Sequence, residues 1–551
     1  MEMRMNKYLL PVIFFILLGV FVLYPTVSVL RQSFLVDDSF SLENYIEVFT
    51  KPHLYNTIGS STLVALGAAT LSTLLGLIIA LVVFKTKTPL RKLFAVSAVL
   101  PIIIPGFVTT IAYIFLFGRN GVISYQLLGI EWDVYSWKSV LILQSLDLTT
   151  TAFLLISATM VTLDSRLEDA ARSLGASEWS VLKTVTIPLL RPGIIAAILL
   201  TFMRSIADFG TPMIVGGSFD TLASASYTQL IGTYNMEMAA TLNMILMVIS
   251  ILAFWLYSRG QAAARNVQQQ SQSDWGKELN FRKPLKTALW AVSCGFSLIV
   301  LMMLVSVFIA AFTKHIGGDY SLTWQHFQIL PQRGWNSTVN TIVFAVITMV
   351  IVSFLGILIA YLVTKVRFRG RRLLDWLTTL PFAIPGTFMG VGFAIAFSRN
   401  PLLLTGTWMI VVACTVVREL PLGLRAGVSV LSQQDSSVED AAASLGASRF
   451  VSFFNIILPM SRSALIVTSS WAFIATVQTL GAIIFIITPG TKLLSVDVFE
   501  AVIRNDWGDA AAFSVVMLLL AAAGVLTILF FSRRQVTESW FRRLIAGQNR
   551  V

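Results

Sequence analysis

Five charged side chains lie within or near the ends of long apolar stretches: Asp147, Arg204, Asp208, Arg418 and Glu419. A charge at the centre of a lipid bilayer costs roughly 2.5–3.5 kcal/mol on insertion scales, so such residues are functional candidates. They could line a pathway for a charged solute. Alternatively, they form structural ion pairs or lie close enough to a helix end to reach water. Asp147 and Arg418 are related by an internal offset of 271, which suggests a pair across two similar halves.

The other reactive side chains favour neither catalysis nor a resident metal. His53, His315 and His326 are scattered in predicted loops, and Cys294 and Cys414 lie inside apolar runs without the spacing of a metal site or a disulfide framework. The sequence has no G-x-x-x-x-G-K-[ST] phosphate loop. We therefore expect no catalytic residue, no metal ligand and no cofactor bound by this chain.

The elements that position these charges are predicted to be membrane helices. Of the 551 residues, 56% are hydrophobic and 12% are charged, against about 25% charged in a soluble domain. Apolar runs such as 9–30 and 63–84 can cross the ~30 Å hydrocarbon core as helices. The first run is too long for a signal-peptide core and lacks a cleavage site, so we expect it to be retained. The fold class is an all-α polytopic membrane protein.

Twelve spans are predicted in two sets of six. The first set is 8–31, 57–84, 93–118, 137–163, 189–209 and 239–258. The second set is 287–313, 337–364, 373–398, 403–431, 461–487 and 511–532. A polar, glutamine-rich segment at 259–286 suits a flexible linker. It divides the chain into a first half, 1–258, and a second half, 287–551.

The net charge of +12 reflects loops that face one side of the membrane rather than a nucleic-acid surface. The connections 85–92 and 365–372, the linker and the tail after Phe531 are all basic, and most of the Lys and Arg residues lie on or near one face. By the positive-inside rule that face is cytoplasmic, which places both termini in the cytoplasm of a multi-pass protein of the inner membrane.

The two halves repeat each other. Residues 100–106 recur at 380–386 with an offset of 280, and both segments contain prolines predicted to kink spans three and nine. Residues 162–177 (TLDSRLEDAARSLGAS) match 433–448 (QQDSSVEDAAASLGAS) at 11 of 16 positions. A match inside a polar loop is not explained by shared hydrophobicity. An even number of spans per half places both copies on one face, as a parallel repeat requires.

Each copy of this loop predicts a short capped helix. Ser165 with Glu168, and Ser436 with Glu439, fit an S-x-x-E capping box. A glycine in each copy, Gly175 in the first, suits a left-handed helix end.

After these helix ends, serines are placed to cap a second short helix, and prolines suit the first turn of the next span. These are Ser177, Pro188, Ser448 and Pro459.

One face of each short helix is predicted to be apolar. Residues at i, i+3, i+4 and i+7 form the stripe, comprising Leu167, Ala170, Ala171 and Leu174 in the first copy and Val438, Ala441, Ala442 and Leu445 in the second. A small apolar stripe of this kind fits a groove in another protein. The alternative is a helix lying on the lipid, which is disfavoured because large apolar anchors are few.

The loop resembles the EAA loop of ATP-binding-cassette (ABC) importer permeases. The resemblance rests on Asp169-Ala170-Ala171, Gly175 and Ile187-Pro188 in one copy, within 164–192. The second copy has Asp440-Ala441-Ala442, Gly446 and Leu458-Pro459, within 435–463. The family usually has Glu at Asp169 and Asp440, and here Glu168 and Glu439 stand one place earlier. Which acid faces the partner therefore stays open.

In that family the loop forms a coupling helix that sits in a cleft of the nucleotide-binding subunit. The resemblance implies a type I importer permease with two fused six-helix halves. Its partners would be two copies of an ABC ATPase that uses the ATP, an extracytoplasmic solute-binding protein and the lipid bilayer. The coupling residues would be Glu168, Asp169, Ala170, Ala171, Leu174, Gly175, Glu439, Asp440, Ala441, Ala442, Leu445 and Gly446.

Other readings differ in class or in solute. A twelve-span secondary transporter has the same helix count, but it has no ATPase to dock on a duplicated loop, and a membrane scaffold or sensor would not need two such loops. Fused permeases of this length resemble ferric-iron importers, and the segments 207–212 and 216–217 are reminiscent of them. Ferric iron is the first expectation. 2-Aminoethylphosphonate, other phosphorylated or anionic solutes, thiamine and polyamines are the alternatives.

Overall fold

The computed structural model describes residues 2–268, 281–315, 318–399, 402–435 and 437–532. Thirteen helices precede the gap at 269–280. They are α1 Glu2–Leu18, α2 Tyr24–Ser33, α3 Glu43–Thr50, α4 Pro52–Lys85, α5 Arg91–Val99, α6 Gly106–Phe117, α7 Trp137–Val161, α8 Ser165–Ser173, α9 Glu178–Val181, α10 Ile187–Ile206, α11 Gly210–Val215, α12 Leu222–Tyr227 and α13 Met236–Gln268.

Twelve helices follow the gap within the described residues. They are α14 Lys283–Phe312, α15 Gln325–Gln328, α16 Trp335–Thr364, α17 Arg371–Thr379, α18 Gly386–Ala396, α19 Trp408–Leu431, α20 Ser437–Ser444, α21 Arg449–Ser452, α22 Leu458–Met460, α23 Arg462–Gln478, α24 Leu494–Ile503 and α25 Trp507–Ser532.

Short irregular elements join these helices. Leu100–Ile102 and Leu380–Phe382 are 3-10 turns. Wider π-helical turns occupy Gly19–Leu23, Val122–Leu127, Leu182–Thr186, Thr228–Gly232, Leu330–Gly334 and Phe453–Ile457. Two antiparallel hairpins complete the secondary structure: β1 Leu35–Val36 with β2 Ser39–Phe40, and β3 Thr313–His315 with β4 Asp319–Leu322. The predicted all-α class is confirmed.

Nine helical segments of the described chain are long and apolar enough to cross a membrane, and two bent pairs raise the number to eleven. The pairs bend by 106° between Phe382 and Gly386 and by 72° between Met460 and Arg462. The prediction of twelve spans exceeds this count by one. The difference is α19. Any stretch of 18 residues in this helix contains all three of the charges Arg418, Glu419 and Arg425, which makes it too polar to count as a span. The corresponding helix of the first half, α7, is apolar enough to count as a span.

Prolines break spans three and nine at the predicted positions. Pro105 and Pro385 adopt extended backbone with ψ near +145°. Each stands between a 3-10 turn and the helix that follows it. Proline has no amide hydrogen to continue the preceding helix, and it restricts the residue before it.

The repeat is visible element by element. At an offset of 280, α5 and its 3-10 turn match α17 and its own turn residue for residue; at an offset of 271, α9 matches α21. The closest helix crossing recurs too. A Cβ on Gly76 would lie 2.7 Å from the Phe153 backbone nitrogen, and one on Gly356 would lie 2.6 Å from the Gly423 carbonyl carbon. Both α4–α7 and α16–α19 therefore pack backbone against backbone.

The halves exchange their first membrane helices. α14, from the second half, packs on α4, α5 and α6 of the first, where the hydroxyls of Ser97 and Ser297 lie 2.6 Å apart. Reciprocally, α2 of the first half packs on α18 of the second. The ring of Phe21, in the turn that precedes α2, lies 5.7 Å from the ring of Phe397. Each half is thus completed by a helix of the other.

Both ends of the predicted linker, 259–286, are helical. α13 continues to Gln268 and α14 begins at Lys283. Residues 269–280 lie outside the described chain, as do the basic tail from 533 onward and Ser436.

Candidate functional site: two repeated loops and a charged cluster

The first loop begins its helix with a different cap from the one predicted. Asp164 precedes α8, and its carboxylate accepts a hydrogen bond from the Arg166 backbone nitrogen at 2.9 Å. The S-x-x-E capping box of Ser165 and Glu168 is therefore wrong. An aspartate is as good an N-cap as a serine, and this one stands one residue earlier.

Glu168 is buried in an ion pair that joins the loop to the bundle. Its oxygens lie 2.7 and 2.9 Å from Lys85 Nζ at the end of α4, and Thr186 donates to Oε1 at 2.8 Å. The side chains of Lys85 and Glu168 are only 3% and 2% exposed. A buried carboxylate needs this many partners because its water has been removed. Glu168 is thus fully engaged within the chain.

The second loop repeats this link in a more open form. Lys365, at the end of α16, lies 3.1 Å from Glu439 and donates to the Gln434 carbonyl oxygen at 3.1 Å. Position 457, the counterpart of Thr186, is Ile457, so no hydroxyl completes the pair. The Lys365 and Glu439 side chains are 14% and 24% exposed. The pair that joins α20 to the bundle is therefore more open to solvent than the pair that joins α8.

The hydrogen bond made by Asp164 recurs in the second loop. Asp435 accepts a hydrogen bond from the Ser437 backbone nitrogen at 3.0 Å. This bond, with a further contribution from the Ser437 hydroxyl, holds the pKa of the Asp435 carboxyl below its usual range. A charged cap at a helix N-terminus is favoured by the helix dipole.

The predicted glycine ends are confirmed. Gly175 and Gly446 have φ of +86° and +82°. In each loop the residue after the glycine donates back to the helix: Ala176 to the Ala171 carbonyl and Ala447 to that of Ala442, both at 3.0 Å. This is the Schellman arrangement. A Cβ on either glycine would meet no atom within 4 Å, so the loop surface is open there.

The apolar stripe faces outward at its ends. Leu174 and Leu445 are each 89% exposed, and Ala170 and Ala441 are exposed as well. Ala442, by contrast, is buried against the chain. Together with the exposed Leu167 and Val438, the two leucines leave an apolar surface on each loop. Contiguous exposed apolar surface, unlike a single exposed side chain, is a candidate interaction site.

The aspartates of the two loops stand beside this surface. Asp169 is half-exposed and lies 2.7 Å from Arg172, which also contacts Glu178 at 3.2 Å. Asp440 is exposed. Of the two adjacent acids in each loop, the aspartate is thus the more accessible one.

The second short helix begins as predicted. Ser177 accepts from the Ser180 nitrogen and Ser448 from the Val451 nitrogen, both at 3.3 Å. Pro188 lies in the first turn of α10. Pro459 lies in α22, which ends at Met460 before the 72° bend into α23, so the two copies diverge at this point.

The charges of the membrane helices do not pair as predicted. Asp147 on α7 interacts electrostatically with Arg204 and Asp208, and no Asp147–Arg418 ion pair occurs in the described chain. Arg418 instead lies 3.6 Å from Glu419 and donates to Thr479 at 3.1 Å. The repeat relates the two positions but does not turn their side chains toward each other.

Arg204 links the cluster across the two halves. It donates to Thr151 Oγ1 at 2.6 Å and interacts electrostatically with Asp147 of its own half and with Glu419 of the other. Glu419 also accepts from Trp471 Nε1 at 2.7 Å. The five predicted charges thus lie near enough to influence one another electrostatically, and Arg418 and Glu419 are the two in direct contact.

Several polar partners escaped the sequence analysis because they carry no charge. Gln144 donates to Asp208 at 2.9 Å and accepts from Ser205 at 2.5 Å. Gln478 donates to the carbonyl oxygens of Ile102 and Ile103 at 3.1 and 2.8 Å, so it joins α23 to the turn of the other half. The signal in the sequence that could have identified Gln144 and Gln478 was their position as polar residues within apolar stretches.

Comparison with known proteins supports the two-half organisation. A family model described as "Binding-protein-dependent transport system inner membrane component" matches twice, at residues 72–263 and 353–539. Each match includes one of the two loops.

Individual relatives agree. The ferric transport system permease protein FbpB of Actinobacillus pleuropneumoniae is 29% identical over 96% of this chain and 78% of its own length. The Fe(3+)-transport system permease protein FbpB 2 of Haemophilus influenzae is 24% identical over 88% of this chain and 91% of its own. The sulfate transport system permease protein CysT of Escherichia coli is 28% identical and matches 46% of this chain with 95% of its length.

Proposed function

The chain belongs to the family of binding-protein-dependent transport system inner membrane components, and on that premise we propose that it imports ferric iron. It is the permease of an ABC importer, a multi-pass membrane protein whose system includes an ATPase and a binding protein. The observation that carries the coupling part of the proposal is the pair of open apolar helices, α8 and α20, one in each matched segment.

Each of these helices docks in a cleft of an ATPase subunit. The exposed Leu174 and Leu445 fill the apolar part of the cleft, and Asp169 and Asp440 supply the adjacent charge. Glu168 and Glu439 do not face the ATPase, because they hold their helices to α4 and α16. Two docking helices imply two ATPase copies, one per half.

ATP binding and hydrolysis occur in those subunits, and the permease itself binds no cofactor. Closure of the two ATPases draws α8 and α20 together. The rigid α4–α7 and α16–α19 pairs then carry that movement into the membrane. In this arrangement the loops and both termini are cytoplasmic, in accord with the basic connections at 85–92 and 365–372.

The charged cluster is the candidate pathway. Asp147, Asp208 and Glu419 supply negative charge along it, and within the described residues no three acidic, histidine or cysteine side chains are grouped closely enough to hold a metal ion. Arg204 and Arg418 compensate their charge when no solute is present, which lowers the cost of acids in the bilayer. Arg204 interacts electrostatically with Asp147 of the first half and Glu419 of the second. A change in the relative position of the halves therefore alters the charges that face the pathway.

The substrate follows from relatives named for ferric transport. These relatives do not favour the alternatives, which are 2-aminoethylphosphonate and other phosphorylated or anionic solutes, thiamine and polyamines.

Uptake of radiolabelled ferric iron in iron-starved cells, with and without the gene, tests the proposal. An Asp169→Lys, Asp440→Lys variant serves as the uncoupled control. Loss of uptake in both the deletion and the variant supports substrate and coupling together. Iron uptake that is unchanged by the deletion refutes the iron assignment and directs the assay to phosphonates.

A further inference from the structure

A polar cleft of about 480 Å³ opens beside the second coupling loop, and the proposed coupling does not use it. It lies between the ends of α16 and α19 and the start of α17. Its walls are Val363, Thr364, Lys365, Arg371, Arg372, Asp375, Leu431, Ser432 and Gln434.

The cleft carries uncompensated positive charge. Asp375 is paired with Arg425 at 3.2 Å, and Lys365 is paired with Glu439 at 3.1 Å. Arg371 and Arg372 have no acidic partner within 4.0 Å among the described residues. α17 begins at Arg371, so the positive end of its dipole also points toward this region.

Three polar positions of this wall are apolar in the first half. Thr364, Asp375 and Gln434 correspond to Phe84, Ala95 and Leu163. These first-half residues belong to a hydrophobic cluster that Phe281 and Leu285 of the exchanged segment complete. The side chains that line this cleft in the second half are thus not all kept in the first half, so the repeat does not account for them.

The exposed apolar face of α17 places the cleft at the bilayer surface. Leu373 and Trp376 flank the arginines and are both more than half exposed. Tryptophan is enriched at the membrane–water boundary, where its apolar ring and its N–H group are both accommodated. A ligand in the cleft is thus within reach of the lipid headgroups.

We propose that this cleft binds the phosphate headgroup of an anionic phospholipid through Arg371 and Arg372. Basic pockets at this level of a membrane protein fit such headgroups, and guanidinium groups match phosphate geometry. The acyl chains lie along Leu373 and Trp376. The phosphate also lies near Lys365, which is paired with Glu439. A bound lipid therefore competes with Glu439 for this lysine and weakens the link between α20 and α16.

The test measures phosphatidylglycerol bound to the purified full-length chain, by native mass spectrometry and by titration in nanodiscs. The variant is Arg371→Gln, Arg372→Gln. The matched control is Lys87→Gln, Lys92→Gln, which also removes two exposed cations, from the corresponding connection of the first half. Loss of the two cleft arginines is expected to weaken phosphatidylglycerol binding about 30-fold, whereas the control changes it less than about fivefold.

Three outcomes would overturn the proposal. Equal loss in the variant and the control would mean a general attraction of anionic lipid to basic loops. Displacement of the lipid by millimolar inorganic phosphate would assign the cleft to free phosphate. Displacement by the added ATPase subunit would make the cleft part of that protein interface. Retention of one tightly bound lipid in wild type and control, and its loss in the double variant alone, supports the site.

Discussion

The buried Lys85–Glu168 pair gives a quantitative test of how the first coupling helix is held. Glu168→Gln keeps the shape of the side chain but leaves the buried Lys85 ammonium without its counter-charge. Removing one partner of a buried pair costs about 3–5 kcal/mol. Because Glu168 joins α8 to α4, we expect at least about 3 kcal/mol of this cost to appear as easier local opening of α8.

At 1.4 kcal/mol per factor of ten, that loss corresponds to roughly 150-fold faster exchange of the α8 backbone amides. Hydrogen exchange followed by mass spectrometry on a peptide covering 166–174 measures it. The second half offers an internal control. The Lys365–Glu439 pair is more exposed, and Glu439→Gln should cost about 1 kcal/mol or less, or about fivefold in the exchange of α20.

A double variant separates charge from packing. Lys85→Met with Glu168→Met removes both charges at once, and a buried pair replaced in this way is often close to neutral. Thr186 then loses its acceptor, so a residual effect of about 1–3 kcal/mol is expected. If Glu168→Gln leaves α8 exchange within twofold of wild type, the ion pair does not hold the helix. If Glu439→Gln accelerates α20 exchange by about 150-fold, as expected for α8, then burial does not set the difference between the two pairs.

Three further changes test other parts of the mechanism. Asp169→Lys with Asp440→Lys should release the ATPase from membranes, measured by co-purification; full retention would mean that these acids are not its anchors. Gly175→Val should abolish transport yet leave membrane insertion intact, because a side chain at φ +86° is strained by about 1–2 kcal/mol, whereas its Cβ meets no atom of the described chain within 4 Å. Exchanging Asp147 and Arg418 should not restore uptake, since each has other partners; recovery in the double swap would show that they pair in another conformation of the transport cycle.

Gly295→Val is the control for the glycine change. A Cβ at this position also meets no atom within 4 Å, and its φ is not positive. Normal transport in Gly295→Val and none in Gly175→Val would assign the effect to the helix end rather than to added bulk.

The repeated loops were predictable because they are polar segments in an apolar chain. Their glycine ends, second helices and proline breaks depend on local backbone chemistry, which adjacent residues determine. The predicted N-cap of α8 was wrong by one residue. Asp164 and Ser165 are both good N-cap residues, and the sequence alone does not rank them.

Contacts between elements that are distant in the sequence were harder to predict. Lys85 and Lys365 recur at one offset and Glu168 and Glu439 at another, but nothing in the sequence shows that the first set meets the second. The Asp147–Arg418 prediction failed for the same reason. A repeat fixes equivalent positions along two helices, whereas the direction of a side chain depends on how those helices rotate against their neighbours.

The exchange of first membrane helices has a consequence for the order of synthesis. The ribosome completes α4 and α5 long before α14 emerges, so the apolar cluster around Phe94 and Val83 lacks Phe281 and Phe296 during that interval. The first half alone is therefore an unfinished folding unit that must wait in the bilayer for its cover. Separately expressed halves should become protease-resistant only when they are made together, and the covalent linkage ensures that each nascent half meets its complement in equal number.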